Sequence, residues 1–128
     1  MRQTLRPSLH GLLDYVTVVL FAAAPGMFGL VGAAAGISYG LAVVHFLLTV
    51  TTDFSAAIMR VVPLKVHGFI ELVVSLVLVV LGLAVFSDVA AERNFYLVAG
   101  LVIFVVWFVS DYSDQPLSSA DNSDTTIE

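Results

Sequence analysis

Residues 64–86 read LKVHGFIELVVSLVLVVLGLAVF. After Lys65 the stretch contains one histidine, one glutamate and one serine, and everything else is apolar or glycine. That length matches the ~20 residues a helix needs to cross the hydrocarbon core of a bilayer. From Val73 to Leu81 there is no alternation of apolar and polar residues, so the pattern of a barrel strand does not fit. In lipid only helices and closed barrels satisfy their own backbone, so the stretch predicts a transmembrane helix.

Three further apolar runs flank it, from about Leu9 to Leu30, Gly36 to Phe54 and Asn94 to Tyr112. Hydrophobic residues make up 59% of the chain and charged residues 12%, too few to solvate a globule of this size. The sequence therefore predicts an all-α, four-helix transmembrane bundle over residues 1–112 that sits in a lipid bilayer. Gly29, Gly32 and Gly36 mark the first turn, and Asp88, Glu92 and Arg93 the third. Pro63 suits the first turn of the third helix. Short connections make successive helices antiparallel neighbours. There is no cysteine, which excludes disulfides and thiolate metal sites. The net charge of −5 comes mostly from Asp114, Asp121, Asp124 and Glu128. Nothing resembles a basic nucleic-acid surface. Residues 113–128, rich in Ser, Asp and Thr, predict a disordered acidic tail.

Arg2, Arg6, Arg60 and Lys65 fall on one side of the predicted membrane and Arg93 on the other. The positive-inside tendency then places both termini in the cytoplasm. The first run imitates a signal peptide, but Pro25 directly after Ala22-Ala23-Ala24 hinders cleavage, so it is expected to be retained.

Leu9-His10-Gly11-Leu12-Leu13-Asp14 aligns with Val66-His67-Gly68-Phe69-Ile70-Glu71. Tyr39 and Ala42 align with Tyr96 and Ala99 at the same offset. Thr52-Asp53-Phe54 matches Ser110-Asp111-Tyr112 after a one-residue slip. The chain thus reads as two parallel helical-hairpin repeats, 8–54 and 64–112, related by an axis along the membrane normal.

Topology then gathers the polar residues. His10 and Asp14 open the first helix and His67 and Glu71 the third, each pair one turn apart. His45 lies about 12 Å deeper than Asp53 at ~1.5 Å per residue. Charged groups at membrane depth point into the bundle, because lipid offers them no partner. His10, Asp14, His45, His67 and Glu71 form the candidate site, with Asp53 and Asp111 as outer partners of the histidines.

Three functions suit such a cluster. The residues favour a structural network, or the core of an accessory subunit in a homo-oligomer or larger membrane complex, in which polar groups hold helices together. The alternative is a divalent metal site for zinc or iron, or bis-histidine haem ligation by His10 and His67 or by one of them with His45. The second alternative is a proton or ion relay. No nucleophile elbow or phosphate-binding loop is present, so an enzyme is not expected. Trp107, Tyr96 and Tyr112, near predicted helix ends, read as interface anchors.

Ala24-Pro25-Gly26-Met27-Phe28-Gly29-Leu30 resembles the Ser-Pro-Trp-x-Leu-Gly-Phe signature of the SPW-repeat membrane proteins. The Ser and Trp are replaced, and Val80-Leu81-Gly82-Leu83 of the second repeat has no proline. The resemblance implies a small bacterial inner-membrane protein built from two-helix repeats, and it adds no mechanism.

Overall fold

A computed structural model describes residues 5–53 and 57–113. Arg2, Phe54, Ser55 and the acidic residues from Asp114 onward, on which the sequence places expectations, lie outside the described residues.

Four helices follow one another: α1 (Pro7–Phe28), α2 (Gly32–Thr51), α3 (Leu64–Val80) and α4 (Ala90–Val109). A π-helical turn, Leu81–Val85, extends α3. All four spans are long and apolar enough to cross a membrane, and α3 with its π turn is the most apolar. The protein is a multi-pass, all-helical membrane protein. Its outer surface carries a wide coat of exposed Leu, Val and Phe, as a lipid-facing surface requires.

Helix α3 starts at Leu64, as its apolar run suggests, while α1, α2 and α4 start earlier than theirs. Pro7 takes the first position of α1, where its missing N–H costs nothing. Two positive-φ glycines, Gly29 and Gly32, make the α1–α2 turn, so α2 begins at Gly32 and Gly36 lies inside it. Glu92 and Arg93 are not a break but part of the first turns of α4, where the helix N-terminus favours the Glu92 carboxylate. Pro63 caps α3 rather than entering it.

Helix α1 packs along α2, and α3 along α4, while α1 touches α4 over a shorter stretch. The α3–α4 crossing is close: a Cβ at Gly100 would lie 2.8 Å from the Ser75 carbonyl oxygen. Pro25 sits inside α1, where it cannot donate to the carbonyl of Phe21. The Ser38 hydroxyl on α2 donates to that oxygen at 2.7 Å. Backbone polarity opened by the proline is thus closed by a neighbouring helix, as the bilayer demands.

Tyr96 departs from its expected place at the interface. Because α4 starts at Ala90, Tyr96 lies well inside the span, fully buried, with its hydroxyl on the Ala34 carbonyl at 2.6 Å. Its ring stacks on Phe86. Tyr112 is likewise no interface anchor, because it closes the site described next.

Candidate metal centre

Helices α1 and α3 begin, and α2 and α4 end, at the same end of the bundle. His10 and Asp14 face inward from the first turns of α1, and His67 and Glu71 from the first turns of α3. All four are buried, with His67 at 0% exposure. His45 joins them from α2, also buried. The i, i+4 spacing read from the sequence puts each histidine above its own carboxylate. The structure brings all five residues together.

His10 Nε2 lies 3.4 Å from Asp14 Oδ1 and 3.2 Å from Glu71 Oε2. His67 Nε2 lies 3.2 Å from Asp14 Oδ2 and 3.7 Å from Glu71 Oε1. His45 Nε2 lies 3.6 Å from Asp14 Oδ1. Each carboxylate therefore touches both helix-opening histidines. His10, Asp14, His67 and Glu71 each offer a ligand atom, and these atoms all fall within 4.8 Å of one another.

The other ring nitrogen of two of these histidines is held from outside. His10 Nδ1 is 2.7 Å from Ser110 Oγ, and His67 Nδ1 is 2.7 Å from Thr52 Oγ1. Both hydroxyls spend their proton elsewhere, Ser110 on the Val106 carbonyl and Thr52 on the Leu48 carbonyl. Each can therefore only accept from the imidazole, which assigns the proton to Nδ1 through the hydrogen-bond network. The Nε2 atoms are left facing the carboxylates. His10 Nε2, His45 Nε2, His67 Nε2 and Asp14 Oδ2 are buried without a hydrogen-bond partner among the described residues.

The two outer contacts match in their surroundings. Thr52 and Ser110 end α2 and α4 in nearly the same extended conformation, with φ −82°, ψ 141° and φ −80°, ψ 146°. Val62 pairs its backbone beside Thr52, and Leu5 pairs beside Ser110. The histidine of each half of the chain is therefore held by the hydroxyl of the other half.

Asp53 and Asp111 are not brought into the site. In extended backbone successive side chains point to opposite sides. Thr52 and Ser110 point in, so the next residue points out. Asp53 is more than half exposed, 3.8 Å from Arg60. Asp111 accepts from the Ser113 amide and hydroxyl, which hold its carboxyl below the usual range. The residue after Asp111 turns inward again. Tyr112 donates to Glu71 Oε2 at 2.6 Å and sets its ring edge against His10. Burial and the Glu71 charge push the Tyr112 phenol up, so it remains a donor at ordinary pH. Gly68 makes room for it: a Cβ there would meet the Tyr112 ring at 2.8 Å.

The His10 and His67 rings are 5.4 Å apart at 75°, and His45 and His67 are 6.4 Å apart at 61°. With Asp14 and Glu71 bridging both helix-opening histidines, no porphyrin plane fits between these rings. Thr17 and Ser75, on the same faces as the acids, bond among the described residues to carbonyls of their own helices. Comparison with protein-family models, with characterised proteins and with solved structures returned no match.

Proposed function

We propose that the protein is a metal-binding membrane protein in which His10, His45, His67, Asp14 and Glu71 hold a first-row divalent ion such as zinc or iron. One observation carries this reading, the spacing of the unpaired atoms. Charge-assisted N–H···O bonds run ~2.7–2.9 Å. The Nε2 to carboxylate separations here are 3.2–3.7 Å. Ligand bonds of ~2.1 Å around a tetrahedral ion place neighbouring donors about 3.4 Å apart. All five separations exceed the charge-assisted range, and they lie near the edge length of a coordination polyhedron, within a set of ligand atoms that spans no more than 4.8 Å.

The tautomers support the same reading. Two imidazoles held through Nδ1–H present neutral Nε2 lone pairs, the form that ligates metal, and outer hydroxyls that orient them are the usual companions of such ligands. Unpaired buried donors and acceptors cost ~1–3 kcal/mol each, and a cation would relieve them together. Three imidazoles with two carboxylates and no sulfur suit zinc or iron better than copper(I), and better than the all-oxygen ions magnesium and calcium.

The proposal extends to the frame of the site. The two hairpins are parallel repeats, as the resemblance to SPW-repeat proteins implies, and each half contributes one His-Gly-x-x-acid motif, which is no part of that family's signature. The site lies in the cytoplasmic half of a bacterial inner membrane, with both termini cytoplasmic. The matching hydroxyl contacts of His10 and His67, and the basic residues Arg6, Arg60 and Lys65 at that end, support this frame.

Purification in mild detergent followed by elemental analysis tests the metal site. Loading with zinc or iron(II) is expected to give about one ion per chain, as a single four-helix site predicts. His67→Ala should lose the ion while its helical circular dichroism persists. A wild-type chain that stays metal-free after loading, or a folded His67→Ala and His10→Ala pair with undiminished metal, would overturn the proposal.

A further inference from the structure

A cavity of about 20 Å³ adjoins the cluster on the side away from Tyr112. Leu41, Val44 and Leu48 of α2 and Ile70 and Val74 of α3 form its flanks, the core residues Phe21 of α1 and Ile103 of α4 also line it, and His45 and Glu71 supply its polar wall. It sits at the seam between α2 and α3, which make no extended contact with each other. Val44 at this seam is 57% exposed on the lipid-facing surface. His45, nine-tenths buried with an unpartnered Nε2, is one of the two polar residues that line it.

The end of the bundle nearest water is closed differently. Tyr112 covers Glu71 and His10 there, and the backbone pairs Leu5–Ser110 and Thr52–Val62 flank it. A ligand from solution on that side meets the half-buried Tyr112 phenol. On the α2 and α3 side the cavity is lined, apart from His45 and Glu71, by the aliphatic Leu41, Val44, Leu48, Ile70 and Val74.

We propose, resting on the metal reading, that this cavity is an open ligand position of the bound ion, entered from the bilayer between α2 and α3 and suited to a small neutral molecule of diatomic size. The volume decides the size: roughly 10–15 Å³ is the minimum for one water, so the space admits one small molecule and nothing larger. The walls decide the chemistry. Water is held by two to four polar partners, and this cavity offers few. An anion would lose its hydration with no positive side chain to replace it. A neutral diatomic partitions into hydrocarbon and needs only the metal.

Nitric oxide on the iron(II)-loaded protein, in detergent and under argon, is the probe. The expected result is a half-integer-spin EPR signal from the nitrosyl adduct, with azide causing no spectral change. Val44→Trp, which fills the mouth from a lipid-exposed position, should keep its iron and lose the signal. Iron-loaded protein with no nitrosyl signal, a Val44→Trp variant with the full signal, or azide binding as readily as nitric oxide would each overturn the proposal while leaving the metal site standing. A chain that takes up no iron at all fails the elemental analysis above and removes both.

Discussion

Toward the α1–α2 turn, Ser38 donates to the carbonyl freed by Pro25 and Tyr96 donates to Ala34. At the opposite end, where α1 and α3 begin, three imidazole nitrogens and a carboxylate oxygen are buried without a hydrogen bond, the nitrogens 3.2–3.7 Å from the carboxylates. One fold, in one hydrocarbon environment, closes its polar groups at one end and leaves them open at the other. The difference teaches where stability ends and function begins. Hydroxyls at the first end complete the backbone. Hydroxyls at the second, Thr52 and Ser110, use their remaining capacity to aim histidines at a common point.

The largest effect that would break this contrast is loss of a ligand. His67→Ala removes a donor that touches both carboxylates, and the bound ion should fall from about one per chain to a trace, since His67 is one of the four residues whose ligand atoms lie within 4.8 Å of one another and four-donor sites are the norm for zinc. Metal content of the purified variant checks it. Ion binding should also show in stability: at a free ion concentration 100 times its Kd the folded state gains about 2.7 kcal/mol. Chelation should therefore lower the unfolding temperature of wild type and leave His67→Ala unchanged.

Next in size are the residues that aim the rings. Thr52→Val and Ser110→Ala each free one imidazole to rotate, and each should weaken metal binding about 10–100-fold. Competition titration against a chelating dye measures both. The two values should agree closely if the halves of the chain are equivalent. A large effect at one and none at the other would break the repeat as a description of the site, even with the metal site intact. Gly68→Ala tests the cover of the same site. Its Cβ would drive against Tyr112, and the expected loss is of the same order, because the phenol orients Glu71.

Much of this was legible in the sequence, for physical reasons that also explain the rest. Four spans follow from apolar length alone. The pairing of His10 with Asp14 and of His67 with Glu71 follows from helical periodicity, and their convergence with His45 follows from antiparallel helices. The outer partners were not legible in this way. Asp53 and Asp111 are the more conspicuous residues, but the helices end one residue before Thr52 and Ser110, and the extended backbone then sends alternate side chains outward. A hydroxyl residue immediately after each of two helix ends, one of them followed two positions later by an inward tyrosine, was the available signal. The depth of Tyr96 was hidden because α4 reaches past Glu92 and Arg93, two charges that look like a boundary. Tyr112 was hidden for the opposite reason: it lies beyond a helix, where composition suggests only an interface.

A smaller effect belongs to the closed end. Ser38→Ala leaves the Phe21 carbonyl without its partner, inside a span where water cannot replace it. Hydrogen bonds between membrane helices contribute about 0.6 kcal/mol on average and up to about 1.7, and the proline makes this carbonyl one with no alternative donor in its own helix. The expected loss is near the upper figure, read as a lowered unfolding temperature or denaturant midpoint in detergent. Metal affinity should not move, because the Phe21 carbonyl lies about 10 Å along α1 from Asp14 at ~1.5 Å per residue and bonds away from the cluster, to Ser38. That separation sharpens the comparison. A Ser38→Ala variant that lost the ion as readily as Thr52→Val would mean that both ends are one cooperative network and that the unpaired atoms owe their positions to packing throughout the bundle. A variant that is less stable but fully loaded would show that polar groups at one end complete the helices and those at the other hold a ligand.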